Sequence, residues 1–352
     1  MTFRQEILGK AQRIVIKLGT GLLTDGQNHL ALDQIERIVT QIVALCQEKK
    51  QVVLVSSGAI GAGMAELGLK QRPKRLDELQ AAAAIGQSKL MAVYDRLFAK
   101  SGITVGQVLL THDDLKNRTR HLNAHNTLMM LVARNVLPIV NENDTVSVDE
   151  IKVGDNDLLG ALTATLIDAD LLVILSHVEG LLKQGAPISA VADITCEIED
   201  LAGGTDRTTS VGGMKSKIEA AKIVTRAGIP MVIASGERKG VLTDLLAGED
   251  VGTIFVPKNA KLASRKRWIA FFQRPAGAVI VDDGAARAVR DNGKSLLAKG
   301  ITSVAGQFEK GAVVSIRDKN QVEFARGLAK VGSIQIRSAS GVVVHRDDLV
   351  VL

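Results

Sequence analysis

The chain has 352 residues, enough for one large and one smaller domain, and a formal net charge of +6. Its 46% hydrophobic and 23% charged residues are typical of a globular protein. It has no apolar run of roughly 18 residues, and its polar start lacks the pattern of a secretory leader, so we expect a cytoplasmic protein without a membrane partner. Cys46 and Cys196 are expected to be free thiols, and no Cys/His cluster has zinc spacing.

Short apolar strands alternate with helices over residues 1–257. The pattern predicts strands at 13–18, 52–55, 103–110, 137–140, 171–175 and 230–234. It predicts helices from residue 33 and at 76–98, 121–134, 155–166 and 213–227. Continuous apolar strands between helices are typical of a parallel sheet covered on both faces. We therefore predict a three-layer α/β/α sandwich with a mostly parallel central sheet.

The last part of the chain has a different composition. A basic linker is predicted at 258–274, followed by a small, mainly β domain at 275–352 with strands at 278–281, 300–304, 312–316, 332–336 and 342–344. Residues 258–352 carry 17 Lys and Arg against 8 Asp and Glu, a net of +9. This charge predicts an anionic partner such as RNA. The alternative is a solvated basic surface, which the aromatic content of 3% favours because base stacking uses aromatic side chains.

Glycines and lysines follow several predicted strands, at the edge where open parallel sheets bind ligands. Lys17 and Gly19 end the first strand, and a glycine-rich turn at 56–63 follows the second. Another glycine-lysine segment, 212–217, opens a helix, where N–H groups can receive a phosphate. The turn at 56–63 taken alone is equally consistent with a purely structural role.

Two polar clusters complete the pattern, Asn-Glu-Asn-Asp at 141–144 and Lys-Val-Gly-Asp-Asn-Asp at 152–157. A helix cap would explain Asp155 or Asn156, but not both clusters. The sequence offers no matched Ser-His-Asp set. Two separated lysines beside glycines fit phosphoryl transfer, which depends on positioning and positive charge more than on covalent catalysis.

Five motifs occur in an order that resembles the glutamate 5-kinases of the amino acid kinase family. They are V-I-K-L-G-T (15–20), S-S-G-A-I-G-A-G (56–63), N-E-N-D (141–144), K-V-G-D-N-D (152–157) and G-G-M-K-S-K (212–217). The resemblance covers nearly the whole chain. Segments 299–308 and 343–349 resemble the PUA domain that many of these enzymes carry. The resemblance implies the amino acid kinase fold followed by a PUA-like domain.

The resemblance also implies roles for individual residues. The catalytic group would be Lys17, Lys217, Asp155 and Asp157. Glutamate would be bound by Ser57, Gly58, Asp144 and Asn156. The nucleotide would be bound by Lys17, Gly19, Ser176, His177, Val211, Gly212, Gly213, Met214, Lys215, Ser216 and Lys217. Mg²⁺ would bridge the phosphates of ATP, with no dedicated protein metal site.

The implied activity is ATP-dependent phosphorylation of the side-chain carboxylate of glutamate, the first step of proline biosynthesis. An ionised carboxylate needs no general base, which agrees with the lack of a candidate histidine. The acyl phosphate product would be consumed by a partner, glutamyl phosphate reductase. Proline would be a feedback inhibitor, and the chain would form a homodimer or homotetramer.

The sequence departs from the family pattern in two places. Ser176-His177 replaces the usual Thr-Asp and Leu182 replaces a tyrosine, which predicts an altered nucleotide contact. The C-terminal domain is shortened between Gly327 and Val342, which weakens the expectation of RNA binding. Two alternatives stay open: another amino acid kinase, and an RNA-binding or regulatory protein whose kinase domain is inactive.

Overall fold

The computed structural model describes residues 2–147, 156–203, 213–257, 261 and 263–352. The chain divides into two units, Met1–Lys261 and Leu262–Leu352. In the described part of the chain, no helix combines the length and apolar character needed to cross a membrane.

The first unit is built on an eight-stranded sheet with the order β3-β4-β2-β1-β5-β9-β10-β8. Its strands and a separate β6–β7 hairpin are β1 (Arg13–Leu18), β2 (Gln51–Ser56), β3 (Val105–Leu110), β4 (Leu137–Glu142), β5 (Leu171–Ser176), β6 (Leu182–Lys183), β7 (Ala186–Pro187), β8 (Ala190–Val191), β9 (Met231–Ser235) and β10 (Thr253–Phe255). Neighbouring strands described in this sheet are parallel, except that β9 and β10 are antiparallel. The predicted, mostly parallel sheet is confirmed.

Helices connect the strands of the first unit. They are α1 (Phe3–Leu8), α2 (Thr20–Leu23), α3 (Leu32–Gln47), α4 (Ala59–Glu66), α5 (Leu76–Ala99), α6 (His112–Lys116), α7 (Arg118–Ala133), α8 (Asn156–Leu166), α9 (Cys196–Ala202), α10 (Met214–Arg226) and α11 (Val241–Ala247). The apolar residues of α3 recur every three or four positions and are buried, which stabilises the fold by about 2 kcal/mol for each large side chain.

Alternate side chains of β1 show that helices cover both faces of the sheet. Ile14 and Ile16 belong to the buried cluster that includes the apolar face of α3. Lys17 points to the opposite face, because successive strand residues alternate. There its Cβ packs beside Gly160 of α8. The first unit is therefore a three-layer α/β/α sandwich.

Helices α4 and α5 cross with their backbones in contact. A Cβ placed on Gly63 would lie 1.7 Å from the carbonyl oxygen of Ala82, and one on Gly86 would lie 1.8 Å from that of Ala59. Real Cβ atoms do not approach this closely, so only glycine fits at either position. This crossing fixes α5 against the helix that follows β2.

The second unit contains a six-stranded sheet with the order β12-β16-β15-β14-β11-β13. Its elements are α12 (Ser264–Arg267), a π-helical turn (Trp268–Phe272), β11 (Gly277–Val281), α13 (Asp283–Arg290), β12 (Leu296–Leu297), a 3₁₀ turn (Ala298–Gly300), β13 (Ile301–Ala305), β14 (Val313–Arg317), β15 (Glu323–Ala329), a second 3₁₀ turn (Gln335–Ser338) and β16 (Val342–Val351). The predicted mainly β domain is confirmed.

Two details of this unit differ from the sequence prediction. The strand predicted at 332–336 is wrong, since the segment enters a 3₁₀ turn that places Ile336 in the core. The sequence pattern missed β15, because Glu323 and Arg326 interrupt its apolar residues. These two side chains pair with each other at 2.9 Å, so they fit beside the core.

Part of the segment assigned to a linker belongs to the second unit. Residues 264–272 are helical, and Trp268 and Phe272 are buried. Arg326 donates to the carbonyl oxygens of Ala270 at 2.7 Å and Gln273 at 3.2 Å, which fastens this segment to β15. The boundaries 1–257, 258–274 and 275–352 stay a prediction.

Candidate active site

The carboxyl ends of β1, β2, β4 and β5 meet at one edge of the central sheet, since these strands are parallel. The Gly19 N–H donates to the Leu175 carbonyl oxygen at 3.0 Å and joins two of these ends. The predicted site residues Lys17, Ser57 and Ser176 follow or end strands at this edge. The topology therefore gathers residues that are far apart in the sequence.

Asp157 lies between two lysines in a buried group, here called the lysine cluster (Lys17, Asp157 and Lys217). Lys17 Nζ is 2.6 Å from Asp157 Oδ1, and Lys217 Nζ is 3.0 Å from Asp157 Oδ2. The three residues are only 5%, 0% and 7% exposed, in chain order. Taken by themselves, these three side chains carry two positive charges and one negative charge, and the positive groups suit the oxygens of a phosphoryl group.

The two lysines determine the ionisation of Asp157. Burial alone would raise the pKa of its carboxyl, but the charges of Lys17 and Lys217 outweigh burial and lower that pKa to about 2. The carboxylate therefore stays negative at neutral pH. It can hold both ammonium groups in fixed positions.

Small residues around the lysine cluster provide space and a further hydrogen bond. A Cβ on Gly160 would lie 3.3 Å from Lys17 Cβ, so glycine leaves room for the lysine stem. Ser216 Oγ lies 2.9 Å from Asp157 Oδ2 and 2.8 Å from the Gly213 carbonyl oxygen, within donating distance of both. The first turn of α10 is thus bound directly to Asp157.

A second group of polar side chains, here called the amide cluster (Gln87, Asn141 and Asn156), lies where β2 and β4 end. Asn156 Nδ2 donates to the Ser56 carbonyl oxygen at 2.8 Å, to Asn141 Oδ1 at 3.0 Å and to Ser57 Oγ at 3.1 Å. Asn156 directly precedes Asp157, so the amide cluster and the lysine cluster are neighbours.

The glycine-rich turn begins with backbone that favours glycine. Gly58 has φ of +93° and caps α4, and the Ala62 N–H donates to its carbonyl oxygen at 3.0 Å. Ser57, which is 7% exposed, is held directly before this turn. The turn therefore places the Ser57 hydroxyl beside Asn156.

Asp144 lies in the turn that follows β4 and is partly exposed. Its negative charge acts on Arg72, whose pKa burial lowers and Asp144 partly restores. No sequence pattern marks Arg72, which lies in the loop between α4 and α5.

Further residues predicted to bind the nucleotide lie at the end of β5, directly after it and at the start of α10. Ser176 is buried at the end of β5, and its Oγ accepts from the Val178 N–H at 3.3 Å. His177 is exposed, and its Nδ1 would lie 3.7 Å from a Cβ on Gly21. Gly213 caps α10, Met214 and Ser216 are partly buried, and Lys215 is exposed.

Three predicted site residues, Asp155, Val211 and Gly212, lie outside the described residues. Within the described ranges, no group of three or more His, Cys, Asp or Glu side chains could hold a metal ion. Asp157 is already engaged with two lysines, which makes it a poor metal ligand.

Residues 12–235 match the sequence model of the amino acid kinase family, and this is more than half of the chain. The chain belongs to the amino acid kinase family. Residues 277–347 match the PUA domain. The family resemblance drawn from the motifs is confirmed, as is the pairing of an α/β domain with a PUA domain.

Several members of the amino acid kinase family are similar to this chain over nearly its whole length. The glutamate 5-kinase of Moorella thermoacetica is 47% identical and covers 98% of this chain and 97% of its own. That of Pelobacter propionicus is 44% identical over 99% of this chain and 100% of its own. The structure of carbamate kinase from Giardia lamblia bound to AMP-PNP matches 71% of this chain and all of that chain, with a TM-score of 0.51 and 18% identity, which shows the shared fold.

In this family member, the structure brings together Lys17, Asp157, Lys217 and Ser216, and separately Ser57 and Asn156. Sequence reasoning missed Gly160 and Gln87. Gly160 sits within an apolar helix, and Gln87 within an alanine-rich one, so no local pattern marks either residue. The roles assigned to individual site residues stay predictions.

Proposed function

We propose that this chain transfers the γ-phosphoryl group of ATP to the side-chain carboxylate of L-glutamate, the first step of proline biosynthesis. The observation that carries the proposal is the buried lysine cluster directly beside the hydrogen-bonded pair Ser57 and Asn156. Relatives that are 47% and 44% identical and bear the name glutamate 5-kinase support glutamate as the acceptor.

The lysine cluster fits the charge changes of this reaction. A glutamate carboxylate oxygen attacks the γ-phosphorus, the bond from this phosphorus to the β–γ bridging oxygen breaks, and ADP leaves. The attacking carboxylate is ionised at neutral pH, so no general base is required. Lys17 and Lys217 stabilise the negative charge of the transferred group, and Asp157 holds both ammonium groups in place. Asp155 is proposed to assist Asp157 in holding the two lysines.

ATP would lie with its phosphates near Gly19 and the start of α10, where Gly213 and the first-turn N–H groups face an anion. Ser176 and His177 are proposed to contact the nucleotide beside them. When bound, Mg²⁺ would neutralise part of the phosphate charge. Its ligands would be phosphate oxygens, since Asp157 is paired with two lysines.

Glutamate would bind between Ser57, Gly58 and Asn156, with Asp144 suited to its ammonium group. We also propose that proline inhibits at or near this pocket and that the chain forms a homodimer or homotetramer. The product, L-glutamyl 5-phosphate, is an acyl phosphate that water hydrolyses. A reductase acting on acyl phosphates, glutamyl phosphate reductase, would therefore be its functional partner.

Purified protein with ATP, Mg²⁺ and glutamate tests the proposal. We expect glutamate-dependent ADP release and a hydroxamate when hydroxylamine traps the product. Turnover with aspartate or N-acetylglutamate, but none with glutamate, would overturn the choice of substrate. The same assay with millimolar proline tests the proposed inhibition.

A second candidate is an RNA-binding or regulatory protein whose kinase domain is inactive, which the net charge of +9 in residues 258–352 favours. It predicts tight RNA binding that weakens steeply with salt, together with no phosphoryl transfer. Kinase activity that disappears in Lys217→Ala would exclude this candidate.

A further inference from the structure

Two side chains of α5 reach the residues proposed to bind glutamate. Gln87 Oε1 accepts from Asn141 Nδ2 at 2.7 Å, and the Tyr94 hydroxyl lies 2.9 Å from Ser56 Oγ. Gln87 and Tyr94 are two helical turns apart and so lie on one face of α5. The proposed mechanism uses neither residue, although Gln87 is one hydrogen bond from Asn141 and two from Asn156.

Backbone groups fix the orientation of the asparagine amides in the amide cluster. The Glu142 N–H donates at 2.9 Å to the side chain of Asn141, so an oxygen must stand at that position. The Ser56 carbonyl oxygen accepts at 2.8 Å from the side chain of Asn156, so the NH₂ group must stand there. The direction of the hydrogen bonds is therefore determined by partners that cannot reverse.

This direction continues through the amide cluster to Gln87. Asn141 Oδ1 accepts from Asn156 Nδ2 at 3.0 Å, and Asn141 Nδ2 consequently faces Gln87 and needs an acceptor. Gln87 Oε1 is that acceptor. Within the described part of the chain, Asn156 Oδ1 has no hydrogen-bond partner and remains able to accept from a ligand.

Stability alone does not account for a glutamine at position 87. Within the described ranges, Gln87 Nε2 is buried without a hydrogen-bond partner. Such a donor costs about 1–3 kcal/mol. An apolar side chain at position 87 would fill the space without this cost, but it would offer no acceptor to Asn141.

We infer that Gln87 is a positioning residue for the ligand ammonium group: by accepting from Asn141 Nδ2, its Oε1 keeps the Asn141 side chain in place against Asn156, whose Oδ1 can then accept from that ammonium. The inference rests on the proposed function and extends it by a residue that touches no ligand. Because Gln87 acts through Asn141 and Asn156, its effect falls on the amino-acid substrate and not on ATP.

Three variants of similar length separate this role from a structural one. Gln87→Glu keeps an acceptor, Gln87→Met removes it, and Gln87→Lys replaces it with donors. We expect Gln87→Met and Gln87→Lys to raise the KM for glutamate about tenfold, the equivalent of one hydrogen bond, with the KM for ATP changed by less than about twofold. Gln87→Glu should stay within about threefold of the parent for glutamate. The same substitutions at exposed Gln47 are the matched controls.

Melting temperatures show whether each variant is folded, and the choice between two substrates shows whether the ammonium group is still recognised. The preference for glutamate over glutarate, which lacks the ammonium group, should fall in Gln87→Met and Gln87→Lys. The inference would be overturned if folded Gln87→Met and Gln87→Lys kept the parental KM for glutamate. It would also be overturned if Gln87→Glu were as impaired as Gln87→Met. If Gln87→Met does not fold, the Glu and Lys variants give the same comparison. A parent protein that does not phosphorylate glutamate would instead refute the proposed function, and the inference with it.

Discussion

Lys17 Nζ lies 2.6 Å from Asp157 Oδ1, although one residue belongs to β1 and the other to α8. Both side chains are buried, so solvent screens this ion pair little. The same carboxylate also holds Lys217, and its second oxygen makes that contact. One acidic side chain therefore determines the distance between the two cations that are proposed to face the transferred phosphoryl group.

Asp157→Asn should remove most activity. The amide preserves the shape but removes the carboxylate charge that both buried ammonium groups contact, which costs about 3–5 kcal/mol of stability. We expect kcat to fall by about 100-fold or more, since the lysines lose their fixed positions. Steady-state kinetics below the melting temperature measure the effect. A kcat within twofold of the parent would contradict this role.

Asp157 should also make stability depend on acid pH. Its pKa is lowered from the ordinary 3.8 to about 2, so the carboxylate stabilises the folded state above pH 3.8 and loses this effect as pH falls through 2. The contribution is about 2 kcal/mol. Urea unfolding between pH 6 and pH 2 should show the parent losing about 2 kcal/mol of its advantage over Asp157→Asn as the pH falls. A pH-independent difference would contradict the assignment.

Gly160→Ala should impair catalysis without unfolding the protein. The new methyl group would lie 3.3 Å from Lys17 Cβ and would displace the lysine stem by a few tenths of an ångström. Alanine favours the helix by about 1 kcal/mol, which offsets this crowding in the stability. We expect a severalfold lower kcat at a nearly unchanged melting temperature. Gly68→Ala is unsuitable as a control because of its positive φ, so exposed Ser88→Ala serves.

His177→Ala should weaken ATP binding selectively. His177 is exposed beside Gly21 at the proposed nucleotide edge. Loss of one hydrogen bond would raise the KM for ATP by about two- to tenfold. His177→Asp, which restores the usual acid of the family pattern, should also change the KM for ATP more than that for glutamate. An unchanged KM for ATP in both variants would show that position 177 makes no nucleotide contact.

Arg326→Ala should destabilise the second unit. The guanidinium group donates to the carbonyl oxygens of Ala270 and Gln273 and pairs with Glu323 at 2.9 Å. Its removal takes these two hydrogen bonds and the ion pair away, at a cost of about 1–3 kcal/mol. Thermal unfolding measures the change, with exposed Lys330→Ala as the control. Equal melting temperatures for the two variants would count against this role.

The sequence predicted the sheet of the first unit well, because its strands are continuous apolar segments between amphipathic helices. It also marked Lys17, Asp157 and Lys217, since charged residues directly after apolar strands or at helix starts are conspicuous. Gly160 and Gln87 could not be found in this way. Each acts through one contact with a residue distant in the sequence, and such contacts leave no periodic pattern.

The second unit was harder to predict for a related reason. In β15, the paired residues Glu323 and Arg326 neutralise each other, which allows charged side chains in a largely buried strand. The apolar segment at 332–336 instead anchors a turn through Ile336. Hydrophobicity alone does not distinguish a strand from a turn with one buried residue.

The crossing of α4 and α5 at Gly63 and Gly86 has a consequence for sequence variation. Any side chain at either position would push apart the helix that follows Ser57 and the helix that carries Gln87. The two sides of the proposed glutamate site would then move apart. In a library of all single substitutions, these two positions should accept none of the other nineteen amino acids, even though neither glycine is among the residues proposed to contact a substrate.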